Sequence, residues 1–261
     1  MTTNKKTHIS YSELKDWAHC PHYHKKNWIE KVASFEGNEY TAFGTAIHDV
    51  CEKKLLRENI DEVKVFQIGF DEELQKLAEK NIEVNEKNVE QMRTAGPQIL
   101  AEVEDALGEY FGDYEVYSSE ELLYEEIENF GYNFKGFVDA VVKVGNKYHI
   151  FDWKTCSWGW DSRKKAEKMV TYQLTLYKHF FCQKHNLDPK DVETHFALLK
   201  RTAKNNRVEI FRVTSGPKKT ENALKLLYQA IYNIQKGLSI KNRLNCLKPY
   251  PCSLRNTEHC R

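Results

Sequence analysis

The sequence predicts an α/β chain: a central mixed sheet, helices packed on it, and a helical lobe inserted before the main strands. Three observations predict this. Residues 41–57 and 58–113 repeat apolar side chains at helical spacing. The apolar runs Gly136-Phe137-Val138-Asp139-Ala140-Val141-Val142 and Tyr148-His149-Ile150-Phe151 flank the turn Gly145-Asn146 and read as a hairpin. A long helical run then precedes two further strand-like runs, 195–199 and 208–213.

In chain order, residues 9–31 open with Ser10 and Ser12, either of which can cap a helix. Leu14, Trp17 and Ala18 recur at helical spacing, and Cys20-Pro21 ends the run. His22, Tyr23, His24 and Trp28 begin a second helical stretch. Residues 41–57 carry Gly44-Thr45-Ala46-Ile47-His48, with His48 one turn beyond Gly44 and Thr45 on the same face. Residues 58–113 form an acidic helical lobe in which Gly96-Pro97 is expected to break one helix from the next. Residues 114–144 alternate apolar and polar side chains and read as three antiparallel strands, with a turn at Asn129-Phe130-Gly131-Tyr132. Glu120 and Glu121 lie among them, and the pattern does not choose which faces the site. A loop follows at 156–161 with Trp158 and Trp160, then one long helix over 164–184 that presents Gln173 and Tyr177 on one face. The last two strands are joined by the basic turn 200–207 and followed by a helix over 218–237. The remaining residues hold Cys246, Cys252 and Cys260.

At 261 residues, 41% of them hydrophobic, the chain can bury one substantial core, or a core with an inserted subdomain. No apolar run is long enough to span a bilayer, and residues 1–6 lead into no apolar signal region, so a soluble, cytoplasmic protein with no membrane partner is expected. The net charge of +1 is uneven. From Lys200 onward fourteen Lys and Arg stand against three Glu, a net +11, which leaves −10 on the preceding residues. A basic C-terminal quarter suits a polyanion held along one side, or equally a solvated surface on which charges cluster. Seven cysteines without a secretion signal argue against a disulfide framework and for a metal or cluster site.

The chemistry concentrates at Phe151-Asp152-Trp153-Lys154-Thr155. Alternate side chains of a strand share a face, so Asp152 and Lys154 point one way and Trp153 the other. The hairpin brings Asp139 close to both. Two carboxylates and an ammonium at one point suit Mg²⁺ or Mn²⁺ and a phosphate, because hard cations want oxygen ligands. An Asp–Lys pair on a solvated strand face is the bland alternative, and it fits less well when both acids sit inside apolar strands. His48 is a further ligand candidate, of a type that suits Mn²⁺ better than Mg²⁺.

Gly44 to His48, Gly136 to Asp139, Asp152-Trp153-Lys154 and Gln173-Leu174-Thr175-Leu176-Tyr177 stand in the order found in RecB-like nucleases of the PD-(D/E)XK superfamily, which the chain resembles. Cys20-Pro21 with Cys246, Cys252 and Cys260 resembles the Cas4-like and AddB-like branch. The resemblance implies a restriction-endonuclease-like core as one nuclease domain over 1–261, with an inserted lobe at 58–113 and a cysteine tail at 238–261 packing near Cys20. It implies a metal-dependent deoxyribonuclease in which Asp139 and Asp152 bind one or two divalent ions, helped by His48 and the Trp153 carbonyl. Lys154 orients the attacking water, and Gln173 and Tyr177 position the DNA or support the lysine. It also implies a [4Fe–4S] cluster on the four cysteines. Their spacing is wider than the branch's compact pattern, and Zn²⁺ on the same thiolates, with His22, His24 or His259, is the rival. The expected activity is an exonuclease on single-stranded DNA or DNA ends. Trp158 and Trp160 are expected to stack on bases and the 200–207 turn to track phosphates. A structure-specific endonuclease and a non-cleaving DNA-binding subunit of a larger complex are the alternatives. The resemblance leaves room for a helicase, recombination or DNA-capture partner.

Overall fold

A computed structural model describes residues 7–32, 35–247 and 252–261. Residues 1–6, read above for a signal region, lie outside it. Strand β1 (His8–Ser10) leads into α1 (Tyr11–His19), which Ser10 caps by accepting from the Glu13 N–H at 3.3 Å. Helix α2 (Pro21–His24) runs on as a π-helical turn, Lys25–Ile29. Then come α3 (Glu39–Leu55), with a capping box at Asn38, α4 (Glu62–Glu79) and α5 (Glu86–Phe111). Strands β2 (Glu115–Ile127), β3 (Tyr132–Val144) and β4 (Lys147–Cys156) follow without interruption by helix. Helices α6 (Ser162–Ala166) and α7 (Lys168–His185), strands β5 (Val192–Lys200) and β6 (Val208–Val213), and α8 (Pro217–Gln235) complete the order.

The sheet is mixed: β1 with β3 and β4 with β5 are parallel, and the other pairs are antiparallel. Gly145 takes φ +57° in the two-residue turn that fixes the β3–β4 register, with Val144 opposite Lys147. Strand β2 pairs along nearly all of β3, so β1 and β4 must share its other edge. They do so at opposite ends, β1 over 133–135 and β4 over 140–144. Residues 136–139 are left between them.

The sheet separates two cores. One holds Leu14, Phe134, Val138, Leu174, Phe180 and Leu227, under α1, α7 and α8. The other holds Phe43, Phe66, Phe70, Leu100, Phe151 and Trp153, under α3, α4 and α5. Helices on both faces of a mixed sheet make this an α/β fold of the restriction-endonuclease-like kind. None of the described helices is long and apolar enough to cross a membrane.

Three local expectations are corrected. Residues 115–144 form two long strands rather than three, because β2 runs on through a register shift between Val116 and Ser118. Helix α5 runs unbroken through Gly96-Pro97. A Cβ on Gly96 would lie 2.3 Å from the Phe66 ring, so this glycine is clearance for a neighbouring helix rather than a stop signal. The run 164–184 is instead divided, since Glu167 leaves helical geometry at ψ 127°.

Candidate active site

The pocket of interest opens on the unpaired stretch of β3. Its lining includes Gly136, Asp139, Asp152, Lys154, Gln173 and Tyr177, with His48 reaching in from α3. The β3–β4 ladder ends at Ala140 opposite Phe151. One residue further the strands have parted, and the Asp139 carboxylate takes up the slack by accepting from the Trp153 N–H at 2.8 Å. A side chain thus replaces a lost ladder bond and fixes Asp139 at the fork.

Side-chain alternation slips at this point. Val138 and Val141 pack in the first core, while Ala140 and Val142 pack in the second. On β2, Glu120 falls opposite Asp139 by register and takes φ +46°. Glu121 turns away, bonding Ser118 at 2.5 Å, Lys184 at 2.7 Å and His185 at 2.6 Å. Glu120 is therefore the one of the two that feels the site, and the Asp152 charge contributes to raising its pKa, after burial and Glu52.

Asp152 is 2% exposed. Gln173 donates to its Oδ1 at 2.7 Å and the Lys154 ammonium lies 2.5 Å from its Oδ2. Gln173 Nε2 is also 3.4 Å from the Tyr177 hydroxyl, so α7 supplies a two-residue brace for the carboxylate. Tyr177 fits because residue 136 is glycine: a Cβ there would meet its ring at 2.8 Å. Burial first, then the Asp152 charge, holds the Asp139 carboxyl well above the usual carboxylate range. Burial also raises Asp152, against the pull of Lys154. Lys154 itself would be lowered by burial, but Asp152 and Asp139 outweigh that and its net shift is upward.

His48 Nε2 is buried without a hydrogen-bond partner, and burial with the Lys154 charge lowers its pKa to about 4. It is a neutral imidazole whose Nε2 is left without a partner. The Trp153 ring is buried in the second core, so only its backbone reaches the site. Two carboxylates raised by burial, Asp139 further by the Asp152 charge, and an orphaned imidazole are a donor set that a divalent cation satisfies. His48, Asp139 and Asp152 do not all come within 4.8 Å of one another, wider than the about 4.2 Å between opposite ligands of an octahedral ion, so direct ligation by all three requires the side chains to close in.

The tighter set among the described residues is one that the sequence reading missed. Ligand atoms of His149, Glu193 and His195 all lie within 4.8 Å. His149 and His195 share a 3.0 Å hydrogen bond, and Tyr110 meets the other nitrogen of His195 at 3.1 Å. Burial lowers both imidazoles, His195 to about 3. Glu193 is already paired with Lys147 at 3.0 Å and Arg212 at 3.2 Å. The group packs against Phe111 of α5, on the second-core side of the sheet. No sequence signal flags it, since 46 residues separate the two histidines.

Cys20, Cys246, Cys252 and Cys260 line one small cavity with His19 and His22. The Asn242 N–H reaches the Cys20 sulfur at 3.3 Å, and Cys252 N–H donates to the Cys246 carbonyl at 2.9 Å. No three of the four sulfurs lie within 4.8 Å of one another. His22 Nε2 is engaged by the His259 carbonyl at 2.8 Å and His24 by Glu13 at 2.8 Å. Cys51, Cys156 and Cys182 lie elsewhere.

Of the other candidates, Trp158 is exposed, and Trp160 is half-buried with its ring 5.2 Å from that of Phe196. In the basic turn, Lys200 pairs with Glu209 and Arg201 lies over the Tyr40 ring at 4.7 Å.

A profile of the PD-(D/E)XK nuclease superfamily matches residues 8–260. A crystal structure described as a "Putative exonuclease" from Eubacterium rectale superposes with a TM-score of 0.60 at 14% identity, over 95% of this chain and 91% of that one, a likeness of fold. The crystal structure of SSO0001 covers 76% of this chain and 88% of its own at 14% identity, but its TM-score of 0.33 carries no weight. No curated protein matches the chain.

Proposed function

The chain belongs to the PD-(D/E)XK nuclease superfamily, and from that premise we propose that it is a Mg²⁺- or Mn²⁺-dependent exonuclease acting on single-stranded DNA or DNA ends. One observation carries the reading: Asp139, Asp152 and Lys154, from two strands, converge where those strands part. Asp139 and Asp152, with His48 and the Trp153 carbonyl, hold the divalent cation. When bound, the cation polarises the phosphoryl oxygen and lowers the pKa of water near it. Asp139 is fixed by the Trp153 N–H, and Asp152 is oriented by Gln173, which Tyr177 braces. Lys154, beside Asp152 at the fork, would hold the attacking water and offset charge in the transition state. The end-directed activity rests on the RecB-like motif order and is in keeping with the description of the Eubacterium rectale fold relative.

The four cysteines hold a [4Fe–4S] cluster in this reading, which places the chain in the Cas4-like and AddB-like branch. The four line one small cavity, where ligation would be coupled to folding. The whole chain acts as one nuclease domain, with residues 58–113 as an inserted lobe and a tail over 238–261, and it serves in DNA processing, recombination or repair.

The test is cleavage of linear and circular single-stranded DNA in Mg²⁺ and in Mn²⁺. Linear strands should be degraded and circles spared. Asp152→Ala and Lys154→Ala should each abolish cleavage with the melting transition retained. Cleavage that survives in both variants removes the mechanism, and cut circles replace the exonuclease with an endonuclease.

A further inference from the structure

We propose that the bare outer face of β2 and β3 beside the pocket is a binding shelf for the bases of a single-stranded polynucleotide, a proposal that rests on the nuclease reading above. The inner face of this half-sheet is closed by Leu123, Phe134 and Val138 in the first core. The outer face is uncovered, and it is apolar where an exposed strand is ordinarily polar. Phe137, Leu122 and Tyr124 are 47%, 43% and 44% exposed. Register sets Leu122 opposite Phe137 and Tyr124 opposite Lys135, so the four form two adjacent rungs.

The occupant is argued from position and charge. Phe137 and Lys135 line the same pocket as Asp139, with Trp28 on its rim, so the shelf continues the metal pocket without a gap. Phe137 stands two residues before Asp139, about 7 Å along the strand. That places an aromatic face one extended nucleotide from the scissile phosphate. Cations accompany the rings: Lys135 Nζ lies 6.0 Å from the Phe137 ring and Lys31 Nζ 5.7 Å from Trp28. His8 stands 6.0 Å from Tyr124. Rings to stack on and cations for the intervening phosphates are the pattern of a single-strand site, since every unpaired base offers a π-face. A duplex keeps those faces inside its own stack. The next rung is Glu126 opposite Asn133, whose carboxylate repels a phosphate, so the shelf holds about two nucleotides.

The test measures binding of a fluorescent oligo-dT and of a blunt duplex of the same length, by anisotropy, with Ca²⁺ in place of Mg²⁺. It uses the full chain as wild type, Phe137→Ala, Tyr124→Ala and Phe137→Trp, with thermal melting as the check on folding. Each alanine should weaken single-strand binding about tenfold and duplex binding less than about twofold, while Phe137→Trp should bind the single strand as wild type does. Alanine variants that keep single-strand affinity within about twofold, or that weaken both ligands alike, overturn the shelf, as does a wild type that binds no single strand. The readout needs no cleavage. A wild type with the expected contrast that cleaves nothing removes the nuclease reading and leaves the shelf. A wild type that cleaves without the contrast removes the shelf alone.

Discussion

The Asp139 carboxyl is held well above its ordinary range, first by burial and then by the Asp152 charge. An unfolded aspartate titrates near 3.9. Between that value and the raised one the folded chain binds more protons than the unfolded chain, so stability from this group is present in acid and lost as pH rises through the folded value. Asp139→Asn removes the charge and keeps an acceptor for the Trp153 N–H. In EDTA at pH 8 the variant should melt above wild type, by about 2–4 °C for each kcal/mol of repulsion relieved. The gap should close toward pH 4, and Mg²⁺ or Mn²⁺ should raise the melting point of wild type but not of the variant. A variant that melts lower at pH 8 removes this account of the site's charge. Gln173→Leu tests the brace. It deletes the 2.7 Å bond to Asp152 and should weaken the cation's apparent affinity about 10–100-fold in a metal titration of cleavage. Unchanged metal dependence leaves Gln173 with packing alone. Asp139, Asp152 and Lys154 were legible in the sequence because charges inside apolar strands stand out. The choice between Glu120 and Glu121 was not, because alternation slips at that step.

Helix α5 separates propensity from packing. Replacing a helical glycine by alanine favours the helix by about 1 kcal/mol on propensity alone. At Gly96 the new methyl would meet the fully buried Phe66 ring at 2.3 Å, and that ring also packs edge-on against Phe43 at 5.7 Å and stacks on Phe70 at 5.7 Å. Overpacking of this kind costs about 1–3 kcal/mol. A 2.3 Å approach to a ring so held belongs at the upper end of that range, a net cost of about 2 kcal/mol, so Gly96→Ala should lower the melting temperature by about 4–8 °C where propensity alone predicts a rise. A rise would mean that α4 and α5 are less closely set than described. The same packing explains why Gly96-Pro97 misled the sequence reading. Gly-Pro is a local stop signal, but the apolar stripe Met92, Ile99, Val103 and Leu107 continues across it into one core and carries the helix through. Glu167 is the converse case. Residues 164–184 have no glycine or proline to mark a break, so the divided helix was invisible locally. The hairpin was legible to the residue because Gly145-Asn146 permits one turn and one register.

Across the whole molecule, residues 222 to 237 positions apart meet at the cysteine cavity. Leu254 is the one fully enclosed apolar side chain described after Ile231. The contacts that tie this segment to α1 and α2 are chiefly polar, with Asn242 and Asn245 both donating to the His19 carbonyl, at 3.1 and 2.9 Å. Net polar contacts of this kind contribute about 1 kcal/mol each. A segment so lightly packed needs a further tether to stay closed, and ligation coupled to folding supplies one. Protein purified without oxygen should therefore be coloured and carry about four irons per chain. Cys252→Ser should lose the iron, and limited proteolysis should then cut first between α8 and residue 261, with the sheet and the Asp139–Asp152 fork still protected. The sequence showed the four cysteines but not how they are held, because cavity shape depends on tertiary contacts with no local signature. A colourless protein containing one zinc would mean that the sulfurs close in around a single ion, and it would move the chain out of the iron–sulfur branch. Proteolysis that opens the whole sheet together with the tail would show the cluster to be part of the fold's foundation rather than a clasp on one end of it.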